Sequence, residues 1–364
     1  MIRQLWKKFL APLDPVMMIG LALLVSISLV VLYSASDANL AMVGKQGANI
    51  LLALVVLWLV ASMPLHYLLR SAVPIYVVSL LLLVAVALFG EVSHGARRWL
   101  HLGFANIQPS ELMKIGLPLM MAWYFEKHEA TLTLKNYIIA AVLLAIPVGL
   151  IVRQPDLGTA ILISASGFYV LFLAGLSWRV MGLALVAALA AAKPIWSMLH
   201  DYQKQRILIM LDPTQDILGK GYHTWQGMIA VGSGGILGKG YMHGSQTHLN
   251  FLPERTTDFI FAVYSEEFGL IGNLILLSLY AFVIWRGFII TSHASTYFTR
   301  LMAGSITLTF ATYAFVNMAM VSGILPVVGV PLPLISYGGT SMLTLMLGFG
   351  MLMSIHTHKK LVKT

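Results

Sequence analysis

Apolar positions cluster in runs of about 20 residues, the length a helix needs to cross the hydrocarbon core of a bilayer. Ten such runs are read as spanning helices, at 15–35, 47–64, 72–90, 109–127, 136–152, 157–175, 178–197, 259–286, 301–321 and 334–355. The first follows Lys7 and Lys8 and ends near Ser34-Ala35-Ser36, which imitates a signal-peptide cleavage site. The run is longer than a signal core of 7–15 residues, so it is read as a retained span. The pattern predicts an all-α, polytopic membrane protein.

Ten spans put both termini on one side. If that side is the cytoplasm, its short segments carry twelve Lys and Arg, among them Arg70, Lys127, Arg179 and Arg286, against Lys45, Arg97, Arg98 and Arg153 opposite. Cations concentrate in short cytoplasmic loops, so both termini are expected inside. The stretch 198–257, polar and Gly-rich, is then a large outer loop. Its Tyr222, Trp225, Tyr241 and Phe251 argue for order. Residues 1–364 are read as one transmembrane domain with this loop between spans seven and eight.

Composition sharpens the class. Of 364 residues, 59% are hydrophobic and 10% charged, with a mean hydropathy of +0.84. A soluble domain carries about 25% charged residues. This excludes a soluble enzyme with a membrane tail and a disordered chain. It also excludes a porin, whose strands alternate apolar and polar. The net charge of +9 is explained by cationic cytoplasmic loops, so nucleic acid is not an expected partner. With no Cys, thiolate chemistry, thiolate metal sites and disulfides are excluded.

The segment from Phe251 to Phe261 leads from the long loop into span eight. Thr256, Thr257 or Asp258 can cap the new helix by accepting its free N–H groups. Alternatively Asp258 is a carboxylate at the membrane surface, kept ionised by the helix N-terminus and able to take a proton from a bound hydroxyl. Glu266 and Glu267 lie deeper, Glu267 about 13 Å from Asp258 along a straight helix. Acidic residues at that depth face the protein interior, and interhelical hydrogen bonds are the favoured reading.

A second constellation joins Arg97-Arg98-Trp99, Gln108-Pro109-Ser110-Glu111 and Lys114. Pro109 and Glu111 suit the first turn of a helix, and Lys114 shares a face with Glu111. Pairing of Glu111 with Lys114 is one reading. Binding of an anion such as a phosphate is the other, and it also accounts for Arg97 and Arg98. A similar helix start recurs at Gln154-Pro155-Asp156, where Asp156 is favoured as a cap. The Pro- and Gly-rich stretch 331–341 allows irregular backbone at membrane depth, tolerated only when buried in protein or lining a cavity. Gly232 to Gly240 imitates a phosphate loop but lacks its first Gly and its Ser/Thr.

Five marks in order resemble the SEDS family (shape, elongation, division, sporulation), over nearly the whole chain. They are Gln108-Pro109-Ser110-Glu111-Leu112 with Lys114, Gln154 to Thr159, Gly238-Lys239-Gly240, Phe251 to Phe261, and Ile335 to Ser341. The opening Leu13-Asp14-Pro15 and short N-terminal tail resemble the elongation branch more than the division branch. One departure is Lys45-Gln46, where many relatives have Arg-Gln. The resemblance implies a peptidoglycan glycosyltransferase of the bacterial inner membrane with an outward-facing site. It would join lipid II to an undecaprenyl-pyrophosphate-linked glycan through a β-1,4 bond, releasing undecaprenyl pyrophosphate.

The resemblance also implies Asp258 as the essential aspartate and a class B penicillin-binding protein transpeptidase as partner. Arg97, Arg98, Glu111, Lys114, Asp156, Glu254 and Ser336 are the substrate-binding candidates. No cofactor is certain; a divalent cation, Mg²⁺ or Mn²⁺, is one possible source of positive charge. The competing expectations are a lipid II flippase or transporter, and the division-specific paralogue.

Overall fold

The computed structural model describes residues 10–93, 96–101, 106–154, 156–198, 204, 208, 220–248, 252 and 254–358. Its helices are α1 Pro15–Ala35, α2 Leu40–Ala61, α3 Leu65–Phe89, α4 Pro109–Lys127, α5 Leu134–Arg153, α6 Leu157–Leu173, α7 Trp178–Met198, α8 Lys220–Ser233, α9 Ser245–His248, α10 Ile260–Ser292, α11 Tyr297–Val321 and α12 Gly339–Thr357. Ten of these, α1–α7 and α10–α12, follow the ten apolar runs in order. Among the described residues, seven helices are long and apolar enough to cross a membrane. α8 and α9 fall in the long stretch after α7.

Several boundaries move: α11 starts at Tyr297 and α12 only at Gly339, after the irregular stretch. Asn39 caps α2 through Met42 N (3.1 Å), so the helix starts at Leu40 and takes in Lys45 and Gln46. α3 starts at Leu65, taking in Arg70, and α10 continues past Arg286 to Ser292. Polar residues in a helix's first or last turns interrupt an apolar run without ending the helix. A feature not read from the sequence is a small antiparallel sheet between α3 and α4. In it β1 (Glu91–Ser93) pairs with β2 (Ala96–His101), and β2 with β3 (Asn106–Ile107).

Polarity sorts the helices. α3, the most apolar, buries 28% of its central window, whereas the less apolar α11 and α12 each bury 56%. Lipid cannot hydrogen-bond, so polar side chains turn inward and apolar ones face the tails. α4, with Glu111 and Lys114, sits at the centre against α3, α5, α6, α11 and α12. α11 packs on α4, α6, α10 and α12. Small residues allow close approach, as where Gly350 of α12 meets the Leu57 carbonyl of α2.

On the face where α1 begins, Asp14 caps α1 through Met17 N (2.7 Å) and receives Arg286 of α10, Nε to Oδ1 at 3.0 Å. His356 of α12 approaches its other oxygen at 3.2 Å. Burial opposes ionisation of this carboxyl. The hydrogen bonds from Arg286 and Met17 and the nearby positive charge outweigh burial and hold it below the usual range. A depressed carboxyl contributes stability that is complete above its ordinary value of 3.8 and is lost as pH falls through the native one. Asp14→Asn is expected to cost about 2–3 kcal/mol at neutral pH. The gap in thermal melting between parent and variant should narrow below pH about 4.

Candidate functional site

The site lies on the opposite face, where α10 is broken. Gly269 has φ +64° and ψ −159°, outside helical space. Leu270 N and Ile271 N therefore lose their helical acceptors and bond instead to the carbonyls of Gly235 (2.9 Å) and Ile236 (3.1 Å). In return Lys239 N and Gly240 N donate to the carbonyls of Glu266 (2.9 Å) and Glu267 (3.1 Å). The Gly-rich stretch that imitates a phosphate loop is thus a clip that repairs a helix break. A Cβ on Gly238 would overlap the Glu267 carbonyl, so the clip admits only glycine there.

Both glutamates lie in the short helical piece ahead of the break. Ser34, one residue from the end of α1, donates to Glu267, so Glu267 lies near that end of the bundle. This is the interhelical bond expected of it. Glu266, fully buried, binds not a helix of the bundle but Lys239 Nζ (2.7 Å) and α9.

Asp258 stands one residue ahead of the N-cap: α10 starts at Ile260 with Phe259 as its N-cap. Phe259 N is satisfied by the Glu254 carbonyl (3.1 Å), and Thr257 Oγ1 turns back to Glu254 Oε2 (2.9 Å). The turn is fixed through its backbone. Tyr337 N donates to the Thr256 carbonyl (2.9 Å), Ser336 Oγ to that of Thr257 (2.6 Å), and Asn317 Nδ2 to that of Asp258 (2.9 Å). The Asp258 carboxylate is half-buried and faces Gly329, where a Cβ would stand 3.4 Å from Oδ2.

Of the residues that hold this turn, Ser336 and Tyr337 belong to the irregular stretch 330–338, largely buried in protein, and Asn317 to α11. Four of the stretch's carbonyls accept from side chains of other helices. Asn317 donates to Val330 (2.7 Å), Tyr280 to Pro333 (2.7 Å), Ser28 to Ile335 (2.8 Å) and Gln46 to Ser336 (3.3 Å). The Ser336 hydroxyl also accepts from Leu332 N (2.7 Å). Ser336 is therefore placed to orient the Asp258 turn, with its hydroxyl engaged on both sides. Gln46, Asn317 and Ser28 are the residues sequence reasoning missed. Their only signal is a polar side chain inside an apolar run.

The second cluster meets the first at residues 328–330. Gly158 packs on the Val328 carbonyl, bringing the start of α6 against this segment. Asp156 caps α6, accepting from Thr159 N (3.3 Å) and Thr159 Oγ1 (2.9 Å), as expected. Val330 packs on Tyr313, and Lys114 Nζ lies 4.9 Å from the Tyr313 ring centre. Lys114 is paired with Glu111 at 2.5 Å. The pair borders a largely apolar cavity between α4, α11 and α12, lined also by Pro118, Phe310 and Phe349. Gln154 Nε2 holds the α5–α6 corner to the Leu83 carbonyl (2.9 Å).

Glu254 is exposed at the rim of the Asp258 turn. Arg97 and Arg98 stand in β2, which packs on α3 and α4; their side chains lie outside the described residues. Among the described residues no group of three or more His, Asp or Glu could hold a metal.

Known proteins share this architecture. MrdB of Escherichia coli K12, named a peptidoglycan glycosyltransferase, is 50% identical over 351 residues, 96% of this chain and 95% of that protein. A chain from a peptidoglycan synthase complex that coordinates polymerization and crosslinking superposes with a TM-score of 0.84 at 32% identity, covering 96% of this chain and 98% of that one. Thermus thermophilus RodA, a rod shape determining protein, superposes at 0.73 and 29% identity, covering 95% and 97%. The chain is a multi-pass membrane protein. The model of the FtsW, RodA and SpoVE cell cycle proteins matches residues 8–361, and the chain belongs to that family.

Proposed function

We propose that this chain polymerises lipid II into β-1,4 glycan strands, with Asp258 as the general base. The coarse activity is that of a peptidoglycan glycosyltransferase. The fine reading rests above all on one observation: Asp258 stands just ahead of α10, on a turn whose carbonyls are held by three neighbours. A carboxylate fixed through its backbone and half-exposed in front can accept a proton in a defined direction.

In the proposed step Asp258 takes the proton of the sugar 4-hydroxyl of lipid II. The freed oxygen pair bonds to the anomeric carbon of the lipid-linked glycan with inversion. The bond from that carbon to the pyrophosphate oxygen breaks, and undecaprenyl pyrophosphate leaves with the electron pair. Lys114, Arg97 and Arg98 are the proposed cations for the leaving group, and Glu254 and Asp156 border the sugar path. The apolar lining of the small cavity beside Lys114 is in keeping with a lipid-linked leaving group. Holding both reactants in one site lowers the entropic cost of the encounter. A divalent ion would draw most of its ligands from the pyrophosphate, as Mg²⁺ commonly does beside one or two carboxylates.

The site face is proposed to be periplasmic and both termini cytoplasmic, in the bacterial inner membrane, in keeping with twelve cations against four in the short loops. The likeness to MrdB and to a rod shape determining protein supports cell elongation. The likeness to a polymerization and crosslinking complex supports a class B penicillin-binding protein partner.

Asp258→Asn and Asp258→Ala are expected to fold, insert and bind that partner, yet to abolish polymerisation by purified protein. Near-parental polymer yield from Asp258→Asn would remove the base assignment. Lys114→Met should lower kcat/KM for lipid II by about 100-fold, and Glu111→Gln by markedly less, since a carboxamide leaves the ammonium free for phosphate. Equal losses in the two variants would mean that the pair serves only to hold α4.

A further inference from the structure

The break at Gly269 separates α10 into a spanning half and a short half of residues 260–268. The spanning half cannot dictate the direction of the short one, which carries Asp258 at its head. The backbone clip fixes the short half at one end. Glu266 supplies a second hold. Its Oε1 receives Lys239 Nζ (2.7 Å), Gln246 N (3.0 Å) and Ser245 Oγ (3.1 Å), and its Oε2 receives Thr247 Oγ1 (3.3 Å).

Three of those four donors belong to α9. The carbonyl of Thr247 in turn accepts from the guanidinium of Arg255, whose other nitrogen pairs with Asp37, two residues past α1. Arg255 stands three residues before Asp258 in the same turn. The contacts form one path from Glu266 through α9 and Arg255 to the turn.

We propose that Glu266 is a positioning residue for Asp258, acting through α9 and Arg255. The proposal rests on the reading of Asp258 as base. A carboxylate suits the task because it accepts from four donors at once, one of them a cation. A carboxamide of the same size has one acceptor oxygen, and its NH₂ would meet donors. Glu267, the next residue and equally buried, is tied to Ser34 of α1 instead and serves as the control.

The test uses the purified full chain, with kcat and KM for lipid II polymerisation, melting temperature, and hydrogen exchange over 245–259 and 109–127. Glu266→Gln is expected to lower kcat by about 10- to 100-fold, the scale of a small misplacement at a reacting centre. KM should stay within about twofold. Exchange should quicken over 245–259 and not over 109–127. Glu267→Gln should keep kcat within about twofold of the parent. Thr247→Val, which removes one bond at constant volume, should lower kcat by about three- to tenfold and carries the test if Glu266→Gln is not recovered folded.

Unchanged kcat per folded molecule in Glu266→Gln, or in Thr247→Val where it stands in, overturns the proposal, as does an equal loss in Glu267→Gln. Asp258→Asn run alongside separates the two failures. An active Asp258→Asn removes the base and the relay together, whereas an inactive one beside an unaffected Glu266→Gln removes the relay alone.

Discussion

In lipid, a backbone N–H or C=O that leaves a helix has no water to turn to and must find its partner within the protein. This chain departs from helical geometry at the head of α10 and in the stretch 330–338, and those departures build the candidate site. At the Gly269 break, four carbonyls and four N–H groups exchange between α10 and residues 235–240. In 330–338, Ser28, Gln46, Tyr280 and Asn317 each donate to a carbonyl. The irregular backbone thereby finds partners within the protein at eight carbonyls. That satisfaction lets an acidic turn sit recessed among spanning helices instead of on a loop in water.

The carboxylates divide accordingly. Asp14, Glu111 and Glu266 each meet a cation, Arg286, Lys114 and Lys239 in turn. These pairs join distant parts of the chain or brace a helix start, and burial makes breaking one costly. Asp258 is treated differently. Its main chain is anchored by Asn317 and its neighbours' carbonyls by Ser336 and Tyr337, so the turn is positioned through its backbone. Lys114 stands between these cases: bound to Glu111, yet at the edge of a cavity where a phosphate could compete for it.

Much of this was legible in the sequence. Ten apolar runs gave ten helices in order, and Asp156 caps α6 as its position before Leu157-Gly158-Thr159 suggested. What stayed hidden depends on partners far away in the chain. Gly269 looks like one more glycine in an apolar run until Gly235 and Ile236 are known to face it. Asp14 reads as a family mark, whereas its physical partner is Arg286, 272 residues on. The N-cap position falls one residue past the expected 256–258, at Phe259, whose N–H meets the Glu254 carbonyl. Periodicity reports which face of a segment is buried and carries no information on which distant polar groups close a break.

The front of the site is shaped by the connection between α11 and α12 as much as by the aspartate. Gly329, at φ +72°, passes close to the Asp258 carboxylate, and any side chain there would stand 3.4 Å from Oδ2 and also strain the backbone. A glycine at this point leaves the carboxylate its half-exposed side. The flanking Val328 and Val330 meanwhile pack on α6 and on Tyr313. The segment thus does two things with three residues: it fastens the Asp258 cluster to the Lys114 cluster, and it places no side chain beside the carboxylate, where the proposed base would meet a hydroxyl. A rigid rear and a glycine in front suit a base that must meet its substrate in one geometry, because orientation fixed in advance is not lost from the barrier later.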